Sequence, residues 1–281
     1  MIQRIKNSIL GYIAGDALGV PYEFETKGSF VCSGFTGNGT YNKPKGTWSD
    51  DTSIMLCLLD ALCSSNESET QKDRFKRNLE LWYSIGGFTC NGFFDIGIQT
   101  SESIASGFKT EVTSKMGNGA LFYSMPLAFY LYDTQYQEER KEIVYDWVKI
   151  THNNPNCQNY AFILEEFFRN EILNSSILIP IKRVYQNKGD VINTTRLVID
   201  LFKSLKTENL SLLQKLCKVV NLGEDTDTNA ALVGGLLGIN EELDEDSKKE
   251  ILKIDWIEEK IDNFIEIKKI WKSKKKGNSF S

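Results

Sequence analysis

The chain has 281 residues, 41% of them hydrophobic and 25% charged, with a formal net charge of −5 and a pI near 5.2. That length can bury one large core, and the charge offers no broad basic field to neutralise a phosphate backbone, so nucleic acid is not an expected partner. No stretch is apolar long enough to span a bilayer and the first residues lack a secretory pattern, so a cytoplasmic protein without membrane contact is expected.

Ile2, Ile5, Ile9 and Ile13 recur at three and four residues, the period of one buried helical face, and predict a helix to about Leu18. From Pro21 to Trp48 the chain is rich in Gly, Ser, Asn and Lys, a composition that punctuates helices, and the loop is long enough to suggest a function. A mostly buried helix is predicted from Thr52 to before Ser64. Helical patterns return at about 69–84, 97–107, 119–132, 137–151, 157–171, 190–205, 209–220, 228–238, 246–253 and 257–272. Strict alternation is absent, and the β-rich piece Ile177–Val184 reads ambiguously. These patterns give an all-α fold: one domain over 1–272, then a basic, frayed tail over 273–281. Ala230, Ala231, Gly234, Gly235 and Gly238 are spaced to line one helix face, which implies close backbone packing.

The six cysteines never form Cys-x-x-Cys, and a single histidine makes a Cys/His zinc site hard to build; reduced, buried thiols are expected. The chemistry concentrates instead in Gly46-Thr-Trp-Ser-Asp-Asp-Thr52 and Gly223-Glu-Asp-Thr-Asp-Thr228. Each sets acidic and hydroxyl oxygens just ahead of a helix. Ser49, Asp50, Asp51, Asp225, Asp227 and Thr228 supply six oxygen donors, the ligand type that hard cations such as Mg2+ and Mn2+ take. Helix capping alone would explain either motif, but together they crowd more carboxylates than caps require, and crowded acids resist ionisation without a cation. Asp225 and Asp227 are expected to flank Thr226 in an extended or turning segment.

The ordered set Gly15-Asp-Ala-Leu-Gly19, Trp48-Ser-Asp-Asp-Thr52, Phe94-Asp-Ile-Gly97, Asn118-Gly-Ala-Leu121, Thr151-His152 and Gly223–Thr228 closely resembles the ADP-ribosylglycohydrolase family, from the first helix to about Gly238. The resemblance implies a compact orthogonal multi-helix bundle with a binuclear Mg2+ or Mn2+ centre at the bottom of an ADP-ribose cleft. It places Ser49, Asp50 and Asp51 in one ligand group and Asp225, Asp227 and Thr228 in the other. Ser49 stands where the family most often has threonine, and keeps the hydroxyl.

By the same resemblance, Asp95, Glu23, Asp51 and Asp227 are the catalytic candidates. Asp16, Met116, Gly117, Asn118, Gly119 and His152 are the substrate-binding ones. Glu23 lies on the loop that can gate the cleft, Asp95 faces the scissile bond, and His152 contacts the nucleotide side. Relatives commonly carry an arginine where this chain has Tyr123, which puts any ion pair of that arginine in doubt.

The expected activity is metal-dependent cleavage of ADP-ribose from a modified side chain, arginine first, by a monomer acting on an ADP-ribosylated protein or small molecule. Serine-linked or O-acetyl-ADP-ribose is the alternative within enzymes. A non-catalytic ADP-ribose-binding or structural protein on the same fold is the alternative outside them.

Overall fold

A computed structural model describes residues 1–64, 68–175 and 189–277, with side chains described as far as Ile267. The described residues form twelve α-helices and no named strand; two isolated bridges, Asn38–Lys43 and Gly117–Asp190, are the β-type pairings among them. The helices are α1 (Ile2–Gly19), α2 (Asp50–Leu62), α3 (Gln71–Ile85), α4 (Ile98–Ala105), α5 (Ser124–Leu131) and α6 (Gln137–Val148). After them come α7 (Pro155–Ile172), α8 (Val191–Leu205), α9 (Leu212–Val220), α10 (Thr226–Gly238), α11 (Glu245–Lys249) and α12 (Ile254–Gly277). The all-α expectation holds. The ambiguous piece Ile177–Val184 lies outside the described residues, and α12 runs on to Gly277 rather than stopping at 272.

Local chemistry sets many of the boundaries. Thr70, Asn154, Asp190, Ser211 and Asp244 each accept a backbone N–H in the first turn of the helix that follows, satisfying donors that have no intrahelical partner. The single helix expected over 119–132 divides into a 3-10 helix, Asn118–Tyr123, and α5. Pro126 lies in the first turn of α5, where its missing N–H costs nothing.

α1 and α10 form the centre. Every residue of α10 is buried, as suits a helix apolar or small all the way round. The expected small-residue face is where the two backbones meet. A Cβ on Gly15 would lie 2.0 Å from the Ala230 carbonyl oxygen, and one on Gly234 would lie 2.2 Å from that of Gly11. Only glycine permits that approach, and alanine at Gly15 would force the helices apart. Gly11 faces Gly234 while Gly19 faces Asp227, so the pair is antiparallel. The C-terminal end of α1 is therefore set beside the N-terminal end of α10, which puts Asp16 and Glu23 next to the second acidic motif.

Candidate active site

Asp16 leaves α1 as a fully buried carboxylate, and its oxygens accept the backbone N–H groups of Ser49 (2.9 and 3.1 Å) and Thr52 (3.0 Å). These bonds pin the start of α2. Ser49 is the N-cap, its hydroxyl accepting from the Asp51 N–H at 3.3 Å, so the first motif does cap a helix as well as carry acids. Asp50 and Asp51 follow in the first turn. Across from them Asp225 precedes α10, while Asp227 and Thr228 lie inside its first turn. Of the extended or turning segment expected from the sequence, the structure has the turn, the first of a helix. Thr226 donates to the Gly19 carbonyl (2.8 Å) at the start of the helix, which begins two residues before the expected 228.

The two helix starts face a cavity of about 610 Å3, within the ~300–1,000 Å3 range of small-molecule sites. Seven carboxylates line it, from Glu23, Asp50, Asp51, Asp95, Glu224, Asp225 and Asp227. Lys115 is the one lysine or arginine in that lining, and its ammonium is already paired with Glu102. Glu23, Asp225 and Asp227 each bring an oxygen within 4.8 Å of the others. Glu23 thus joins the second motif. Burial, then Asp95, push the Glu23 carboxyl up to about 8, and burial pushes Asp16 to about 6 against the donors that bond it. Asp50, Asp51 and Asp227 are also driven well above the usual carboxylate range, by burial first and by neighbouring acids second. The N-terminal dipoles of α2 and α10 ease this crowding without cancelling it.

Glu23 is held by two residues that periodicity could not reveal. The Tyr41 hydroxyl donates to Glu23 Oε2 at 2.6 Å, and the Thr40 hydroxyl donates to the Glu23 carbonyl at 2.6 Å. The Tyr41 ring packs on Phe94, whose neighbour Asp95 has φ +54° and is not the N-cap of α4, a place taken by Gly97. Burial raises the Asp95 carboxyl, while hydrogen bonds from Tyr41, Asp50 and Glu23 oppose the rise.

The adjoining wall is glycine-rich. Cβ atoms on Gly117 and Gly119 would lie 3.0 Å from Gln99 Oε1 and 3.2 Å from the His152 ring, so side chains there would press on these two lining residues. Asn118 Nδ2 donates to Asp225 Oδ2 at 2.5 Å, joining this wall to the acids. The His152 Nδ1 is paired with the Thr151 hydroxyl (2.8 Å), and that hydroxyl with Tyr123 Oη (2.6 Å). Burial lowers the His152 pKa to about 3, so the ring is neutral.

Of the residues singled out from sequence, Glu23, Asp50, Asp51, Asp95, Gly117, Asn118, Gly119, His152, Asp225, Asp227 and Thr228 line the cavity together. Asp16, Ser49 and Met116 do not. Asp16 and Ser49 lie beneath it, and Met116 is exposed, its carbonyl accepting from Val191 N–H. Tyr123 faces the core, edge-on to Phe75; the adjacent Phe122 is the one that reaches the cavity. Phe24, Gln99 and Lys115 also line it without a pattern to mark them, as does Glu224 of the second acidic motif.

The oxygen donors fit a hard divalent cation. All are carboxylates or hydroxyls, Asp51 Oδ2 is buried without a hydrogen-bond partner, and the excess negative charge has no internal answer.

The family model of the ADP-ribosylglycohydrolases matches residues 1–175 and 167–274. The chain is 26% identical over 270 residues to the ADP-ribosylarginine hydrolase Tri1 of Serratia proteamaculans (strain 568), spanning 84% of this chain and 71% of that protein. It is 24% identical to the Tri1 of Pseudomonas putida (strain GB-1), over 84% and 70%, and 22% identical to a putative ADP-ribosyl glycohydrolase, L543, of Acanthamoeba polyphaga mimivirus, over 84% and 86%. A solved structure described as an ADP-ribosylglycohydrolase-related protein complex shares the fold, with TM-score 0.74 at 20% identity over 95% of this chain and 98% of that one. Family match, fold and acidic cleft converge: the chain belongs to the ADP-ribosylglycohydrolase family and is a hydrolase.

Proposed function

We propose that the protein hydrolyses the bond between ADP-ribose and an arginine side chain of a modified protein, with two divalent cations, Mg2+ or Mn2+, held by the acidic floor. The supporting observation is the cavity lining: seven carboxylates and one already-paired lysine, with Gly117 and Gly119 beside them. Two relatives carry the name ADP-ribosylarginine hydrolase, which favours arginine over serine or an O-acetyl group.

Cleaving C1 of a ribose from its leaving group builds positive charge on the sugar ring, and a ring of carboxylates stabilises that charge. Asp50, Asp51, Asp225, Asp227 and the hydroxyls of Ser49 and Thr228 would hold the cations, with Glu23 able to join them. When bound, the cations orient ribose hydroxyls and lower the pKa of a water. Asp95, its carboxyl raised by burial, would hand a proton to the departing nitrogen. The side-chain-free backbone at Gly117 and Gly119 lets a diphosphate approach closely, and the neutral His152 ring hydrogen-bonds it without adding charge. Asp16 acts through the backbone of Ser49 and Thr52 and positions the first ligand group.

A panel of ADP-ribosylated arginine, ADP-ribosylated serine and O-acetyl-ADP-ribose, assayed with Mg2+ or Mn2+ and again after chelation and dialysis, tests this reading. Turnover of the arginine substrate that disappears on chelation supports it. Turnover that survives metal removal, or preference for an O-linked substrate, contradicts it.

A further inference from the structure

We propose that Phe24 and Glu224 form a guanidinium-binding lip at the mouth of the cleft, which selects a cationic leaving group. The inference rests on the hydrolase reading and identifies which residues choose the side chain that is released.

Both residues line the cavity and both are exposed, Phe24 at 66%. Their backbones are clamped together: the Phe24 N–H donates to the Glu224 carbonyl at 2.8 Å, and the Glu224 N–H donates to the Glu25 carbonyl at 2.7 Å. The φ angles are +66° at Phe24 and +64° at Glu224, in the left-handed region where glycine is the unstrained choice. Side chains are thus carried at two adjoining rim positions where the backbone favours none. An aromatic face beside a carboxylate is the pair of groups that a guanidinium takes, through cation–π contact and a forked charge-assisted hydrogen bond.

The location agrees with the chemistry. Phe24 directly follows Glu23 and Glu224 directly precedes Asp225, two members of the carboxylate group beside which the proposed function puts the reacting ribose carbon. A group leaving that carbon meets this rim. Gly117, Gly119 and His152 form an uncharged part of the lining, which suits the nucleotide. An ester or alcohol leaving group carries no positive charge and gains little from the lip.

The test compares wild type with Glu224→Gln, Glu224→Gly, Phe24→Ala and Phe24→Tyr, measuring kcat and KM on ADP-ribosylarginine and on O-acetyl-ADP-ribose. Glu224→Gly relaxes the backbone at φ +64° while removing the carboxylate, so lost selectivity there is not a folding defect. Expected is a fall of about tenfold in the arginine-to-O-acetyl ratio of kcat/KM for Glu224→Gln, Glu224→Gly and Phe24→Ala. The loss should sit in KM for the arginine substrate, and Phe24→Tyr should restore the ratio. Ratios that stay at the wild-type value overturn the lip. Calorimetric titration with agmatine, a guanidinium lacking ADP-ribose, reads the lip without turnover. Binding to wild type that weakens in Glu224→Gln supports it even if no ADP-ribosyl substrate is cut, a result that would fault the hydrolase reading alone; no agmatine binding to wild type overturns it.

Discussion

Two groups of buried acids in this molecule are balanced in opposite ways. On α6 and α7, Glu165 and Glu166 face Arg140, whose guanidinium bonds Glu166 Oε1 (3.0 Å from Nε) and the carbonyls of Thr134 and Gln135. Arg140 is 2% exposed and its Nε also lies 3.9 Å from Glu165. The protein supplies that site with its own cation. The cleft has seven carboxylates, of which Glu23, Asp50, Asp51 and Asp227 are buried, and one lysine committed elsewhere. A buried acid answered by arginine is architecture, whereas buried acids left unanswered around a cavity call for a cation from outside.

Removing the internal cation should cost the most. Arg140→Met leaves Glu166 buried without its guanidinium, only the Gln137 amide still donating to it, and is expected to destabilise the fold by ~3–5 kcal/mol in a denaturant titration, while kcat and KM of the molecules still folded stay near wild type. A mild loss would mean the cluster is less tightly coupled than its geometry indicates. Glu165 provides a pH signature of the same cluster. Both its oxygens lack hydrogen-bond partners, and burial, then Glu166, push its carboxyl from the ordinary 4.5 to about 8. With the folded value raised, the stability this group confers is full below 4.5 and lost as pH rises through 8. Glu165→Gln should therefore gain on wild type across that window, by a few kcal/mol at most; melting curves whose separation is the same at pH 5 and pH 8 would refute this.

In the cleft the order reverses, with activity lost and stability kept. Asp227→Asn is expected to lower kcat/KM by more than about 100-fold, beyond the 10–100-fold typical of losing a group that merely orients a metal ligand. The metal-free variant should melt no lower than metal-free wild type, because the carboxylate removed is one whose charge burial, Glu23 and Asp51 all oppose. Tyr41→Phe keeps the ring on Phe94 but frees Glu23, and a fall in kcat of about 10–100-fold is expected, with little change in melting temperature. Equal rates for Tyr41→Phe and wild type would remove Tyr41 from the positioning of Glu23.

The same contrast explains what the sequence could disclose. Helices with periodic apolar faces were readable to within a few residues, and the clustering of acids in two short motifs marked both sides of the cleft. Glycines of α10 announced a close packing, though the register against Gly11, Gly15 and Gly19 needed the folded pair. The Arg140–Glu166 pair was not readable, because its members lie on two helices and nothing local links them. Tyr41 and Phe24 sit in the loop between Pro21 and Trp48, whose function was suspected from its length, but loops have no period from which to read a contact. Thr226 was misplaced for a related reason. Its bond to the Gly19 carbonyl, which lets α10 begin early, crosses from one end of the chain toward the other.

Calorimetric titration of Mn2+ into the chelated protein, repeated with Asp227→Asn, tests most directly whether the cleft acids await a cation. The account expects saturable binding of two ions to wild type and loss of at least one in the variant. Absence of binding to wild type, or the same isotherm for both proteins, would contradict it.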